Sequence, residues 1–325
     1  MCARSRSMAH ARHRLSVIIV SANSASWLRP CLETVFRRAG DVEVDVVVVA
    51  AGCTDETVAL VEREFPEARA ISCDNLGFAH ANNCALRTVD ADWVLFLNPD
   101  TEVLDGTLAD LVERLDSDPT VGLVGVRQVT PDGRLSPTIR RFPNASRTLF
   151  EALGSEHFPF RASWLGEREL DLRVYDREVR CDWTSGSFML ARWEALQSAG
   201  FWDERFFLYC EETDLCLRIK QAGWEIRHLP HVTILHHENK AGWNPRLDAQ
   251  AAYAKRQYFR KHFSPLHRLA AMGGLVLGYS LRSALGPGGH GRRESSRAAL
   301  ATLVGRRPPP FGAPPKVALT YNRRF

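Results

Sequence analysis

Glu211, Glu212 and Asp214 place three carboxylates within four residues, directly after the aromatic run Phe206-Phe207-Leu208-Tyr209 and before a helical pattern. Like charges this close repel, and each raises its neighbours' pKa, so the group suits proton transfer or a cation. The same acids also suit the first turn of a helix, where the helix dipole favours them. A second acidic signal, Asn98-Pro99-Asp100-Thr101, ends the apolar run Trp93-Val94-Leu95-Phe96-Leu97. A buried strand would deliver Asp100 to its C-terminal end, where open α/β sheets place their ligands. Oxygen donors there suit magnesium or manganese held against a diphosphate, although Asn-Pro-Asp is equally ordinary turn chemistry. His236 and His237 follow the apolar residues Ile234-Leu235. Imidazole would complete a mixed nitrogen–oxygen site better suited to manganese. His236 is preferred as the ligand.

The elements that must position these residues follow from periodicity. Val17–Val20, Val44–Val49, Ala70–Cys73, Trp93–Leu97 and Gly122–Val129 read as strands. Trp27–Arg38, Thr54–Phe65, Ala79–Val89 and Thr107–Ser117 read as the intervening helices. That alternation predicts an α/β domain with a mostly parallel central sheet and flanking helices. Residues 143–180 read as an insertion. Val179–Trp183, Ser187–Arg192 and Glu225–Leu235 return to the sheet, with helices over Arg192–Ala199 and Glu212–Ala222. Beyond Gly242 the chain is helical, with a Pro-rich stretch at 308–315. The Gly-x-Gly-x-x-Gly match at Gly286–Gly291 has no strand before it and reads as a linker.

The chain has 325 residues, 45% of them hydrophobic and 25% charged, as in an ordinary soluble globule. Its net charge of +4 is uneven: residues 1–14 hold four Arg and no acid, and residues 264–325 hold ten Lys or Arg and one Glu. An acidic body thus lies between basic ends. No aromatic-basic module accompanies those ends, so nucleic acid is disfavoured and an anionic membrane surface is the better partner. The apolar segment 266–285 reads either as an interfacial helix or as a packed core helix, being too rich in Gly, Arg and Ser to span a bilayer. No apolar core of signal-peptide length precedes Val17. The eight cysteines include no Cys-x-x-Cys pair. Their scatter argues against a zinc site or a disulfide scaffold and for a reducing cytoplasm, with the protein peripheral on the inner face of the plasma membrane.

In order along the chain, Leu15–Ser24, Asn75-Leu76-Gly77-Phe78-Ala79-His80-Ala81-Asn82-Asn83, Leu95–Thr101, Asp182–Leu190, the acidic motif and Ile234–His237 resemble the family-2 glycosyltransferases. The likeness is strongest to their rhamnosyltransferase-like branch, and it runs from about Leu15 to about His237. It implies a GT-A fold over 15–241, with a nucleotide-sugar-binding half at 15–129 and an acceptor half at 130–241. A basic tail at 1–14 and a helical, basic extension at 242–325 flank it. It also implies a nucleotide-diphospho-sugar donor contacted by Ser21, Asn23, Asn75, Asn82, Asn98 and Asp100. A divalent cation (Mn2+ or Mg2+) would be held by Asp100 and His236. Glu212 stands at the family's catalytic position as the base of an inverting transfer to a glycan or lipid-linked hydroxyl. Glu211 and Asp214 would position the loop or the acceptor, and Trp183 and Gly186 would floor the acceptor pocket. Ala22, Ala50 and Ala51 depart from the family pattern where side chains usually recognise the base. Weak base discrimination follows, and a nucleotide-sugar-binding homologue without turnover is the competing expectation. A nucleotidyltransferase is disfavoured, since the Gly-rich, Lys-containing phosphate loop is missing.

Overall fold

The computed structural model describes residues 14–152, 166–237, 244–285 and 289–312. The chain opens with β1 (Arg14–Ser21), α1 (Ala25–Arg37), β2 (Glu43–Ala51), α2 (Thr57–Glu64), β3 (Ala68–Cys73), α3 (Phe78–Leu86) and β4 (Trp93–Leu97). It continues through β5 (Thr101–Asp105), α4 (Leu108–Asp116), β6 (Val121–Val129), β7 (Ile139–Arg140) and α5 (Ala145–Ala152). After a short 3-10 turn at Leu172–Asp176 come β8 (Val179–Arg180), β9 (Trp183–Thr184), β10 (Phe188–Arg192), α6 (Trp193–Ala199), α7 (Glu211–Gln221) and β11 (Glu225–His236). Three helices close the chain: α8 (Pro245–His262), α9 (Pro265–Leu285) and α10 (Gly289–Leu303).

Burial explains the central strands. Val17 and Ile19 of β1 enter one core with Val46, Val48, Leu95 and Leu97, while Ile18 enters a second with Val47, Val49, Val94 and Phe96. Alternate side chains thus feed opposite faces, and a strand covered on both faces reads as a continuous apolar run. The sheet runs β3-β2-β1-β4-β10-β6-β11-β5, with β8 pairing β11, and β7 and β9 form a separate ribbon. β1, β2, β3 and β4 are mutually parallel, as are β6 and β11; β10 runs antiparallel to both β4 and β6. β5 pairs antiparallel with β11.

Two consequences bear on the site. The chain leaves β1 outward to β2 and β3, then returns to the other side of β1 as β4. This strand-order reversal opens a crevice at the C-terminal ends of β1 and β4. The pairing of β5 with β11 sets Thr101 opposite His236, so the two candidate metal ligands meet across a ladder.

The C-terminal helices build a third core, in which Tyr258, Phe259, Ala271, Leu275, Ala299 and Leu303 pack with Phe206. Segment 266–285 therefore packs through one face while leaving Leu266 and Leu269 outside, 75% and 71% exposed. No helix of the described residues is long and apolar enough to cross a membrane. The glycine-rich match at 286–291 and the tails 1–13 and 313–325 lie largely or wholly outside the described residues.

Candidate active site

At the sheet edge, Asp100 Oδ1 lies 3.2 Å from His236 Nε2, both side chains being mostly buried. Asn98 Nδ2 is 3.5 Å from the same nitrogen. On the ring's far side, His236 Nδ1 lies 3.0 Å from Gln128 Nε2, and Ser187 Oγ donates to Gln128 Oε1 at 2.5 Å. The ring is thus held from behind by an amide that a buried serine fixes in turn. His237 points elsewhere: Nε2 meets Glu102 Oε1 at 2.7 Å, and its ring sits 4.8 Å from that of Trp27. Asp100 and His236 bring an oxygen and a nitrogen together as a divalent cation would need, and Nε2 is free to ligate once the Gln128 amide presents its oxygen to Nδ1.

The acidic helix start lies along the same edge. Tyr209 and Cys210 take the left-handed φ values 71° and 66°, uncommon for residues with a side chain and costing on the order of 1–3 kcal/mol each. This strained entry turns Glu211 and Glu212 into the first turn of α7. Gly186 lies against Glu212, since a Cβ there would sit 3.8 Å from Glu212 Cβ. The next residue, Ser187, accepts at its carbonyl from the Asn98 amide at 3.0 Å. One backbone segment therefore joins the carboxylate turn to the Asp100 loop.

The three acids differ in surroundings. Glu212 is half-buried, its Oε2 inaccessible and without a hydrogen-bond partner among the described residues. Burial pushes its pKa up, opposed by backbone N–H groups and by the Arg140 guanidinium. Glu211 is 5% exposed, and burial followed by the neighbouring Glu212 charge pushes it well above the carboxylate range. Asp214 is fully buried: burial alone would raise it, but His262, Arg218 and Lys261 outweigh that and hold it low. His262 Nε2 lies 2.6 Å from Asp214, and Lys261 Nζ lies 2.5 Å from Asp214 and 2.6 Å from Asp203. Asp214 thus fastens α7 to α8 and faces a cation cluster.

Other expected site residues fall variously. Ser21 is buried with its Oγ 3.0 Å from Thr57 Oγ1. Asn23, at φ 60°, accepts from the Thr54 and Asp55 amides and ties two loops of the crevice together. Asn75 is exposed at the tip of the β3–α3 loop. Two expectations need correction. Asn82 is fully buried, its Nδ2 donating to the Phe78 carbonyl, so it presents no surface to a nucleotide. Trp183 is 8% exposed inside the second core, its Nε1 donating to the Arg141 carbonyl, so little of its ring is left to stack on a sugar. Both follow from their neighbours: a helix face pressed on a sheet, and a two-residue strand under α7.

Sequence reasoning missed Gln128 and Ser187, whose roles depend on register across β6, β10 and β11. It also missed an arginine-lined cavity. That cavity, of about 670 Å³, is bordered by Arg134, Arg140, Arg168 and His237. Arg140 is the link to Glu212, whose charge it senses, and its guanidinium lies 5.6 Å from the Trp183 ring centre.

The sequence profile of Glycosyl transferase family 2 matches residues 16–174. An N-acetylglucosaminyl-diphospho-decaprenol L-rhamnosyltransferase from Mycobacterium tuberculosis is 30% identical over 227 residues, covering 66% of this chain and 73% of its own. Rhamnosyltransferase WbbL of Escherichia coli is 26% identical, covering 69% and 85%. Among solved structures, the mannosyltransferase PcManGT from Pyrobaculum calidifontis, in complex with GDP-Man and Mn2+, superposes with a TM-score of 0.56 at 19% identity, covering 92% of this chain and 89% of its own. Residues 1–349 of S. aureus TarS with UDP-GlcNAc give 0.51 at 15%, covering 90% and 91%.

Proposed function

The chain belongs to glycosyl transferase family 2, on its rhamnosyltransferase-like branch, and carries the GT-A fold; from that membership we propose an inverting, metal-dependent sugar transfer. The donor is a nucleotide-diphosphate rhamnose or related hexose, and the acceptor is a hydroxyl of a lipid-linked, diphosphate-bearing glycan. Residues 15–129 would take the donor and residues 130–241 the acceptor.

The observation that carries this reading is the Glu212 carboxylate, half-buried where Glu211 is 5% exposed, beside Gly186 and on the same edge as the Asp100–His236 pair. A carboxylate with a raised pKa that keeps part of its surface open is suited to accept a proton near neutral pH. Glu212 takes the proton of the acceptor hydroxyl as that oxygen attacks the anomeric carbon, opposite the departing diphosphate, so the configuration inverts. Asp100 and His236 would hold a divalent cation, Mn2+ or Mg2+; the mannosyltransferase of similar fold is in complex with Mn2+ and GDP-Man. When bound, the cation neutralises charge growing on the leaving diphosphate. Gln128 keeps the His236 ring facing Asp100. Arg140 and Arg168 give the adjacent cavity a charge that suits the acceptor's diphosphate, while Arg134 is paired there with Asp132. A diphospho-decaprenol group appears in the name of the Mycobacterium tuberculosis relative.

The full chain, given a panel of nucleotide-diphosphate sugars, a polyprenyl-diphosphate N-acetylglucosamine and Mn2+ or Mg2+, should yield a glycosylated lipid of inverted anomeric configuration. Transfer should vanish in excess chelator and in Asp100→Ala, with the fold unchanged by circular dichroism. Full turnover in either would sink the metal assignment. Donor binding without product across the panel would favour a nucleotide-sugar-binding protein.

A further inference from the structure

Cys73 ends β3, while His80 and Cys84 stand one helical turn apart on α3, a spacing that places them on one face. The fold brings Cys73 Sγ, an imidazole nitrogen of His80 and Cys84 Sγ within 4.8 Å of one another. Cys84 Sγ lies 3.4 Å from His80 Nε2. A tetrahedral zinc with bonds of about 2.0–2.3 Å spaces such donors at about 3.6–3.8 Å, so small rotamer adjustments suffice. All three side chains are part-exposed, which leaves a route of entry and a fourth position open to water.

The independent observation is behind the imidazole. His80 Nδ1 lies 2.8 Å from Glu204 Oε2, and a carboxylate only accepts, so Nδ1 carries the proton. In the neutral ring the lone pair then sits on Nε2, toward the two sulfurs. Glu204 is itself fixed: its Oε1 accepts from Asn83 Nδ2 at 2.8 Å and from Arg87 at 3.2 Å. A carboxylate that fixes the tautomer and orientation of a ligating histidine is the usual outer support of a zinc ligand.

We propose that Cys73, His80 and Cys84 form a zinc site, supported by Glu204 and distinct from the Asp100–His236 pair. Two thiolates and an imidazole select zinc over magnesium or manganese. Binding releases the two thiol protons, and affinity rises with pH accordingly. Without a cation, burial first and Cys84 next push the Cys73 thiol up to about 12, and a bound dication reverses that preference. The ion would tie the end of β3 to α3 and close the loop bearing Asn75. That loop is wedged against the segment entering α7: a Cβ on Gly77, at φ 111°, would lie 2.4 Å from the Phe207 carbonyl oxygen. The scattered cysteines thus conceal a soft site because Cys73 and Cys84 flank a loop and a helix turn.

The full chain, reduced and then equilibrated with Zn2+, should retain one equivalent after gel filtration. Asp100→Ala should keep it, while Cys84→Ser and His80→Gln should lose it. Glu204→Gln should bind zinc about 10–100-fold more weakly against a chromophoric chelator. Cobalt loaded into the unaltered protein reads the donor set without any variant: tetrahedral bands with thiolate-to-cobalt charge transfer are expected. Their absence, or zinc retention equal in the unaltered protein and in folded Cys84→Ser, would overturn the site. So would a Cys73–Cys84 disulfide that forms quantitatively in zinc-loaded protein.

Discussion

Glu211 and Glu212 are chain neighbours that the helix start sends to different surroundings, and the difference makes separable predictions. Glu212→Gln should lower kcat by about 10²–10⁴, the usual scale for a lost general base. The acid limb of the pH–rate profile should sit above the ordinary carboxylate range, because burial raises Glu212; a limb near pH 4 would contradict the assignment. Glu211 should behave oppositely. Its native pKa exceeds the unfolded value of about 4.3, so the native state binds more protons, and stability falls as pH rises through that window. Glu211→Gln removes that penalty, so its melting temperature should match or exceed the parent's at pH 7–8, with the advantage gone below about pH 4. Thermal melts across pH decide it. The acids themselves were legible in the sequence, as was Asp100, because a carboxylate after an aromatic or apolar run stands out. Their division of labour was not, since which of two adjacent glutamates is buried depends on the φ values of Tyr209 and Cys210. Asn82 and Trp183 misled for the related reason that burial is a property of neighbours.

Helix α8 is more than a spacer at the scale of elements. Lys261 and His262 near its C-terminal end reach Asp203 and Asp214, with Arg218 completing the cluster 2.8 Å from Asp214. Removing one partner of a buried ion pair costs about 3–5 kcal/mol, and Asp214 keeps two others, so Lys261→Ala should cost about 3 kcal/mol. Urea titration measures this; a loss below ~1 kcal/mol would leave α8 merely resting on α7. Both aspartates are held below the usual carboxylate range. Their contribution is therefore complete above the unfolded pKa of about 3.9 and fades as pH falls through the lower native values. The four parallel strands at the β1 side were legible because apolar runs bounded by turns mark strands covered on both faces. β5 was not, because five residues directly after Asn-Pro-Asp look like the continuation of a turn. Nor was the reversed direction of β10, since alternation has the same period whichever way a strand runs.

For the molecule as a whole, the excess of ten basic residues over one acid in 264–325 belongs partly to packed helices. α9 and α10 supply Ala271, Leu275, Ala299 and Leu303 to the third core, so truncation near Phe263 should destabilise the chain as well as remove charge. An anchor test must therefore spare that core. Leu266, Leu269, Leu277 and Leu281 lie within about a third of the circumference of α9 at its angular repeat. All four are exposed. An acceptor tethered by a lipid would be met by such a face on the inner surface of the plasma membrane. Each fully buried leucine contributes about 1.5–3 kcal/mol and each arginine near an anionic surface about 1 kcal/mol. Leu266→Asp with Leu269→Asp should thus remove about 3–6 kcal/mol of binding while leaving the core untouched. Co-sedimentation should be stronger with anionic than neutral vesicles and weaken with salt, whose screening length is about 10 Å at 0.1 M. Equal pelleting of the double variant would show that the stripe does not enter lipid. Equal pelleting with neutral vesicles would remove the role of the basic residues and leave the leucine stripe alone to hold the membrane.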